Sequence, residues 1–169
     1  MKKTLLSVLF VILFLCSSCK KESPKPSIQS TSLPFFCTAN INAGESTFSA
    51  NLSFVNSANA TLEFTSPKEL ESLIFNLKNG EVTAEYKGLT FTLPQSDSAS
   101  YNIAKLLFSS LSSPHKNAVL NSNGDYEITD SVKGIDYTLI SDGKSGNLKA
   151  LNSAALNLQI NFENFSFSE

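Results

Sequence analysis

Arginine is absent from this 169-residue chain, and all 13 of its basic residues are lysine. Arginine supplies the planar fork that grips phosphate and guanine with two parallel hydrogen bonds. Without it, and with dispersed lysines and a formal net charge of -2, the electrostatic footprint of a nucleic-acid-binding protein is missing. No nucleic-acid partner is expected. Tryptophan is absent too, and histidine occurs once, at His115 beside Pro114. A general base needs an orienting carboxylate and a nearby nucleophile, and nothing in the sequence singles out either for His115. Gly143-Lys144-Ser145 ends like a phosphate-binding loop, but Thr138 stands where that loop's first glycine belongs, and residues 135–140 read as a hairpin strand rather than one feeding a helix. Asp125, Asp130 and Asp136 are too widely spaced for a calcium loop, and no Gly-x-Ser-x-Gly elbow is present. The chain is therefore not expected to be an enzyme. A hydrolase would require a serine, His115 and an aspartate to converge within hydrogen-bond reach.

Cysteine is scarce, with three residues, and two of them lie near the N-terminus. Lys2 and Lys3 form a basic n-region, Leu5 to Leu15 an apolar run broken only by Ser7, and Ser17-Ser18 a small pair before Cys19. This is the layout of a secretory signal, and its apolar run is too short for a bilayer core that needs about 20 residues. Leu15-Cys16-Ser17-Ser18-Cys19 resembles the bacterial lipoprotein lipobox. Residues 1–18 are expected to be removed, leaving Cys19 as an acylated N-terminus with palmitate-type chains; Cys16 lacks a small residue before it and is the poorer acceptor. Residues 19–32 are rich in Lys, Ser and Pro and read as a flexible tether. A single domain of conventional size follows, residues 33–169. The expected location is extracytoplasmic, on the cell membrane. With Cys16 gone and Cys19 blocked, Cys37 cannot pair, and no two His or Cys residues of the mature chain stand at metal-ligand spacing. No metal and no cofactor are expected. Cys37 alternates in phase with Phe35, Ala39 and Ile41 and reads as a buried small side chain.

What the chain does have is alternation. Apolar residues recur at every second position in Phe35–Ile41, Phe48–Phe54, Ala60–Phe64, Leu73–Leu77, Val82–Tyr86, Leu89–Leu93, Ile135–Leu139 and Leu156–Phe162, and Tyr126, Ile128 and Val132 keep the same phase. That period of two marks strands with one buried face. Turns are expected at residues 43–45, 56–59, 122–124 and 142–146, with Asn79-Gly80 the strongest hairpin signal. Ser66-Pro67-Lys68-Glu69 has a capping-box pattern and predicts about one helical turn. The phase flips at Lys87-Gly88 and again near Asn164, and both flips are expected to be bulges that bend the strand.

One helix interrupts the strands, predicted over about 99–113 with Asp97 or Ser98 as N-cap. Tyr101, Ile103, Ala104, Leu106, Leu107, Phe108 and Leu111 cover roughly 200° of its wheel, about twice the stripe a surface helix needs. Such a helix must be covered on more than one side, either packed across a concave sheet or shielding an apolar hollow. The expected fold is therefore mainly β: a strongly curved antiparallel sheet, or half-barrel, wrapped around one principal helix. A small closed β-barrel or a β-sandwich is the alternative.

Phe64-Thr65-Ser66-Pro67-Lys68-Glu69-Leu70, Asn79-Gly80, Val82, Tyr86-Lys87-Gly88-Leu89-Thr90-Phe91 and the leucine-rich helix are together similar to a group of small clostridial-type lipoproteins. Those resemble the LolA/LolB/LppX-like half-barrel superfamily. The resemblance spans most of residues 35–167. It implies a curved sheet closed by helices around a cavity for acyl chains or glycolipids. The carrier's arginine has no counterpart here, so its mechanism does not carry over. Of the 13 phenylalanines, most are needed simply to fill a core in a chain of this size. Phe48, Phe54, Phe64, Phe75, Phe91 and Phe108, with Leu107, Leu158 and Ile160, are the residues that would line such a cavity. The expected partners are the membrane, through the lipid anchor, and a lipid or other hydrophobic ligand. The alternative is a non-enzymatic interaction or structural module with a filled core and an envelope protein as its partner.

Overall fold

The computed structural model describes residues 34–92, 99–113 and 118–167. The signal and Cys19, the tether, the N-cap at Asp97 or Ser98, and Pro114-His115 lie outside the described residues. The strands are β1 (Phe35–Ala43), β2 (Ser46–Asn56), β3 (Asn59–Ser66), β4 (Leu73–Lys78), β5 (Glu81–Tyr86), β6 (Leu89–Thr92), β7 (Val119–Leu120), β8 (Tyr126–Val132), β9 (Ile135–Ser141), β10 (Leu148–Ser153) and β11 (Leu158–Phe167). The helix α1 (Ala99–Ser112) stands between β6 and β7. All eleven strands form one antiparallel sheet in the order β6-β5-β4-β3-β2-β1-β11-β10-β9-β8-β7.

That order has a simple logic. The first six strands step outward from β1 to one edge, α1 carries the chain across to the other edge, and the last five step back until β11 pairs with β1. The two edges, β6 and β7, do not pair, so the sheet is a curved half-barrel around a helix and not a closed barrel.

Tight turns hold the meander in register. Asn79-Gly80, Lys87-Gly88 and Lys133-Gly134 each place two residues at positive φ between directly paired strand ends, the hairpin geometry that matches strand twist. Lys87-Gly88 is thus a two-residue hairpin and not the expected bulge. Either device advances the side-chain phase by one, which is why the sequence pattern alone did not separate them. The second flip is a bulge as expected. Around Asn164, at φ 56°, three steps along β11 are matched by two along β1, and Phe165 joins the inner face. Register also slips within the β2–β3 and β9–β10 pairs, and such slips increase local bend and twist.

Smaller differences follow from local chemistry. Ser66-Pro67-Lys68-Glu69 yields one 3-10 turn, Lys68–Leu70, after a cis Ser66–Pro67 peptide, and no side chain caps it. Leu156 sits in the turn before β11 rather than in the strand, where Asn157 adopts φ 45° and donates its N–H to the Ala154 carbonyl. Strand β7, two residues long, has no sequence signature.

The core is the inner face. Directly paired residues of adjacent antiparallel strands point to the same side. One can therefore step across the sheet from Ala84 to Phe75, Leu62, Leu52 and Cys37, all buried. On the other side of β1, Ile41 leads to Ile160, Leu151, Leu139 and Ile128. Against this face lie Tyr101, Ala104, Leu106, Leu107, Phe108 and Leu111 of α1, none more than 5% exposed. None of residues 101–113 is fully exposed, as the wide apolar arc requires. Ser110, wholly buried, satisfies its hydroxyl by donating to the Leu107 carbonyl at 2.8 Å.

Leu107 is completely enclosed, so Leu107→Ala should cost about 2–5 kcal/mol in a urea titration, the range for a buried leucine leaving a cavity. Cys37 is 5% exposed, and burial pushes its thiol up to about 12. It should resist a thiol-specific reagent at pH 8 in the native state and react at once in denaturant. Rapid native labelling would show that the inner face opens readily.

Candidate functional site

Seven of the nine residues named as cavity-lining lie on the inner face of the sheet, and Leu107 and Phe108 belong to α1. Phe54, Phe64, Phe75, Leu107, Phe108, Leu158 and Ile160 are buried, Phe48 is partly buried against the core, and Phe91 is 49% exposed. The rings are not loosely gathered. Phe48 meets Phe64 edge-on at 6.0 Å between centroids, and Phe64 meets Phe75 edge-on at 5.6 Å, the arrangement favoured by aromatic quadrupoles. Phe54 belongs to a second group, stacked on Phe35 at 5.4 Å, and Phe35 in turn meets Phe165 at 5.5 Å. These rings fill space between sheet and helix.

The inner face extends past its cover. Helix α1 meets β5 on one side and β8 on the other, which leaves the outermost strands beyond it. Leu89 pairs with Tyr86 and Phe91 with Ala84, so both point to the inner face, yet they are 64% and 49% exposed. At the opposite edge Leu120 pairs with Tyr126 and Tyr126 with the buried Ser141. Leu120 is thus also on the inner face, at 59% exposure. The core therefore ends in two apolar lips, one on each free edge. The alternation in residues 89–93 carried a signal for Leu89; Leu120 had none.

Three grooves mark the described surface. The largest, about 550 Å³, runs over the polar outer side of β3 to β6 past Thr61, Asn76 and Thr83. A second of about 350 Å³ lies on the outer side of β1 to β3 beside Phe36, Asn51 and Asn164. The third, about 190 Å³, separates the first half of α1 from the β8–β9 hairpin. None of the three is lined by the nine named residues. Polar ties hold the helix at its middle and at its C-terminal end. Lys105 donates from Nζ to the Gly80 carbonyl at 3.1 Å, and the Ser112 hydroxyl lies 3.3 Å from the Ser57 carbonyl.

The polar residues singled out in the sequence have structural partners. Asp125 is 8% exposed and is gripped by Lys149 through both carboxylate oxygens, at 3.1 and 2.9 Å. Asp142 accepts from the backbone N–H of Ser145 and Lys144 and from the Ser145 hydroxyl. These bonds, the Ser145 amide foremost, hold its carboxyl below the usual range. Gly143-Lys144-Ser145 is therefore a polar turn organised by an aspartate. Gly143 is required there because a Cβ would collide with the Gly124 carbonyl. The Ser141 hydroxyl is buried on the inner face with no hydrogen-bond partner among the described residues, and the Tyr137 hydroxyl is buried there beside the Ser113 side chain. Burial first, and then the charge of Asp130, raises the pKa of the Tyr137 phenol. Among the described residues no three His, Cys, Asp or Glu side chains cluster as a metal site, and no helix is long and apolar enough to cross a membrane.

No protein-family model matches the chain, and no curated protein matches it either. Solved structures do. An uncharacterized conserved protein from Thermus thermophilus is 14% identical with a TM-score of 0.54, over 84% of this chain and 86% of that one. A LolA superfamily protein from Nitrosomonas europaea is 7% identical with a TM-score of 0.46, over 81% and 86%. An outer membrane lipoprotein-sorting protein domain from Vibrio parahaemolyticus is 9% identical with a TM-score of 0.47, over 83% and 90%. At these identities what is shared is architecture, and this chain shares the overall fold of the Thermus protein.

Proposed function

We propose that this protein is a non-enzymatic envelope lipoprotein that binds, shields or hands over a lipid or another hydrophobic molecule. On this reading Cys19 carries the acyl anchor, and residues 19–32 let the domain reach about 20 Å from the bilayer, the span of a flexible chain of that length. The observation that carries it is the pair of apolar lips. A protein that needed its inner face only as a core would end that face where the helix ends. Here Leu89 and Phe91 continue it into solvent on one edge and Leu120 on the other.

Phe91 lies one strand beyond Ala84 and two beyond Phe75, so an acyl chain laid on the β6 lip runs straight into the phenylalanine row. The interior is occupied by α1, and a longer stretch of ligand enters by replacing helix contacts with its own. Contact between apolar surfaces is non-directional, so methylene groups can substitute for leucine side chains at small net cost.

A second reading has its own support. All four residues of β6 are exposed and no described strand pairs with its outer edge, so a partner protein could add a strand there. Mass spectrometry of organic extracts separates the two. Protein purified without its signal should carry lipid, and Leu89→Asp/Phe91→Asp should lose most of it while melting at nearly the same temperature. A lipid-free wild-type protein that captures an extended peptide along β6 would favour the docking module instead.

A further inference from the structure

The outer face of β1 and β2 is polar along most of its length. Thr38, Asn40 and Asn42 of β1 stand there opposite Asn51, Ser49 and Thr47 of β2. The pattern breaks at one end. Phe36, the outward residue at the start of β1, is 48% exposed, and Val55, near the end of β2, is 49% exposed where it borders the large outer groove. On the other side of β1, Phe167 closes β11 opposite Phe35 and is 43% exposed on the inner side. Strands β2, β1 and β11 are consecutive in the sheet, and their register places all three side chains at the same end. From Phe167 a series of rings leads inward. Phe167 stacks on Phe165 at 6.3 Å, Phe165 meets Phe35 at 5.5 Å, and Phe35 stacks on Phe54 at 5.4 Å.

This is also the end at which the N-terminal segment joins the domain, since β1 begins at Phe35. We propose that this end of β1, β2 and β11 docks on the bilayer that holds the chain's own anchor, with Phe36, Val55 and Phe167 entering its interfacial layer. This rests on the reading of Cys19 as an acylated N-terminus and adds which part of the domain meets the membrane. Three half-exposed side chains fall well short of the roughly 800 Å² that each partner gives to a stable protein interface, so a second copy of the chain is a poor match. A bilayer makes no such demand. Once the anchor is inserted, contact between domain and membrane is intramolecular, and a small apolar patch is enough to bias the orientation. Lys20, Lys21 and Lys25 lie between Cys19 and β1, where an anionic membrane surface attracts them. Docked this way, the rings from Phe167 to Phe54 open onto the membrane and give an acyl chain a continuous apolar path to the inner face.

The chain has no tryptophan, so a single introduced one reports its own surroundings. Full-length protein is expressed with its signal, reconstituted into vesicles of phosphatidylcholine and phosphatidylglycerol, and compared as Phe36→Trp and Thr47→Trp. Both positions are exposed on the outer face, one at the docking end and one at the far end of β2. Both variants therefore keep the fold, and lipid held in the trough reaches neither. On vesicles the Phe36→Trp emission should move to the blue and be quenched by phospholipid brominated in its acyl chains, while Thr47→Trp should show neither effect. Equal quenching at the two positions, or at neither, overturns the docking surface and leaves the anchor and the hydrophobic-ligand reading intact. A blue shift at Phe36→Trp without quenching by brominated lipid also overturns it, in favour of cover by the tether or by a second copy. Protein whose mass shows no acyl chains on Cys19 overturns the anchored reading and this proposal together.

Discussion

An open antiparallel sheet with one apolar face must have that face covered, and everything else in this protein depends on α1 doing so. The sheet leaves β6 and β7 unpaired, and its inner row runs unbroken from β5 to β8. Helix α1 lies against it, meeting strands on both flanks. Each fully buried leucine or phenylalanine contributes roughly 1.5–3 kcal/mol, so the enclosed Leu106, Leu107, Phe108 and Leu111 make α1 a principal source of stability. The same requirement explains the helix sequence. A surface helix has a narrow apolar stripe, whereas one lying in a trough is touched from below and from both sides.

Curvature makes the trough, and much of the sequence is devoted to curvature. The outer face carries Thr, Asn and Ser pairs such as Thr61 with Asn76 and Ser49 with Asn40, whose side chains bond one another across strands. These short polar groups satisfy themselves on the convex side while the bulky phenylalanines crowd the concave one. Hairpins with two residues at positive φ keep the strands twisted in the right sense. The bulge at Asn164 then turns Phe165 inward, where it meets Phe35. Were β11 regular at Asn164, Phe165 would face outward and the end of the trough would lack a wall.

Most of this was legible from residue order, because period-two alternation reports directly on which side of a strand is buried. The wide arc of α1 reported equally directly on how many sides are covered. What escaped did so for physical reasons. The flip at Lys87-Gly88 is ambiguous because a two-residue turn and a one-residue bulge both shift parity. Strand β7 is invisible because two residues have no period. The lips were hidden because exposure at an edge depends on how far the helix reaches, a property of three-dimensional fit rather than of local pattern. Phe91 was named for the right face but reads identically to Phe75, although one is solvent-facing and the other 4% exposed.

The filled interior and the exposed lips pull in different directions, and the energetics of α1 reconcile them. The polar ties at Lys105 and Ser112 are hydrogen bonds near the surface, each worth about 0.5–1.5 kcal/mol net. Neither locks the helix in place. What chiefly resists its displacement is apolar contact, and an acyl chain provides the same kind of contact at about 0.8 kcal/mol per buried methylene. A trough sealed by a closed barrel or by a buried polar network could not make that exchange, because breaking either leaves unpaired groups behind. The inner face instead meets a helix that is greasy over more than half its circumference, and it spills over both edges of the sheet. On the proposed reading, such a surface trades leucine contacts for a ligand's methylene contacts one at a time, beginning at the lip where Leu89 and Phe91 already stand in solvent.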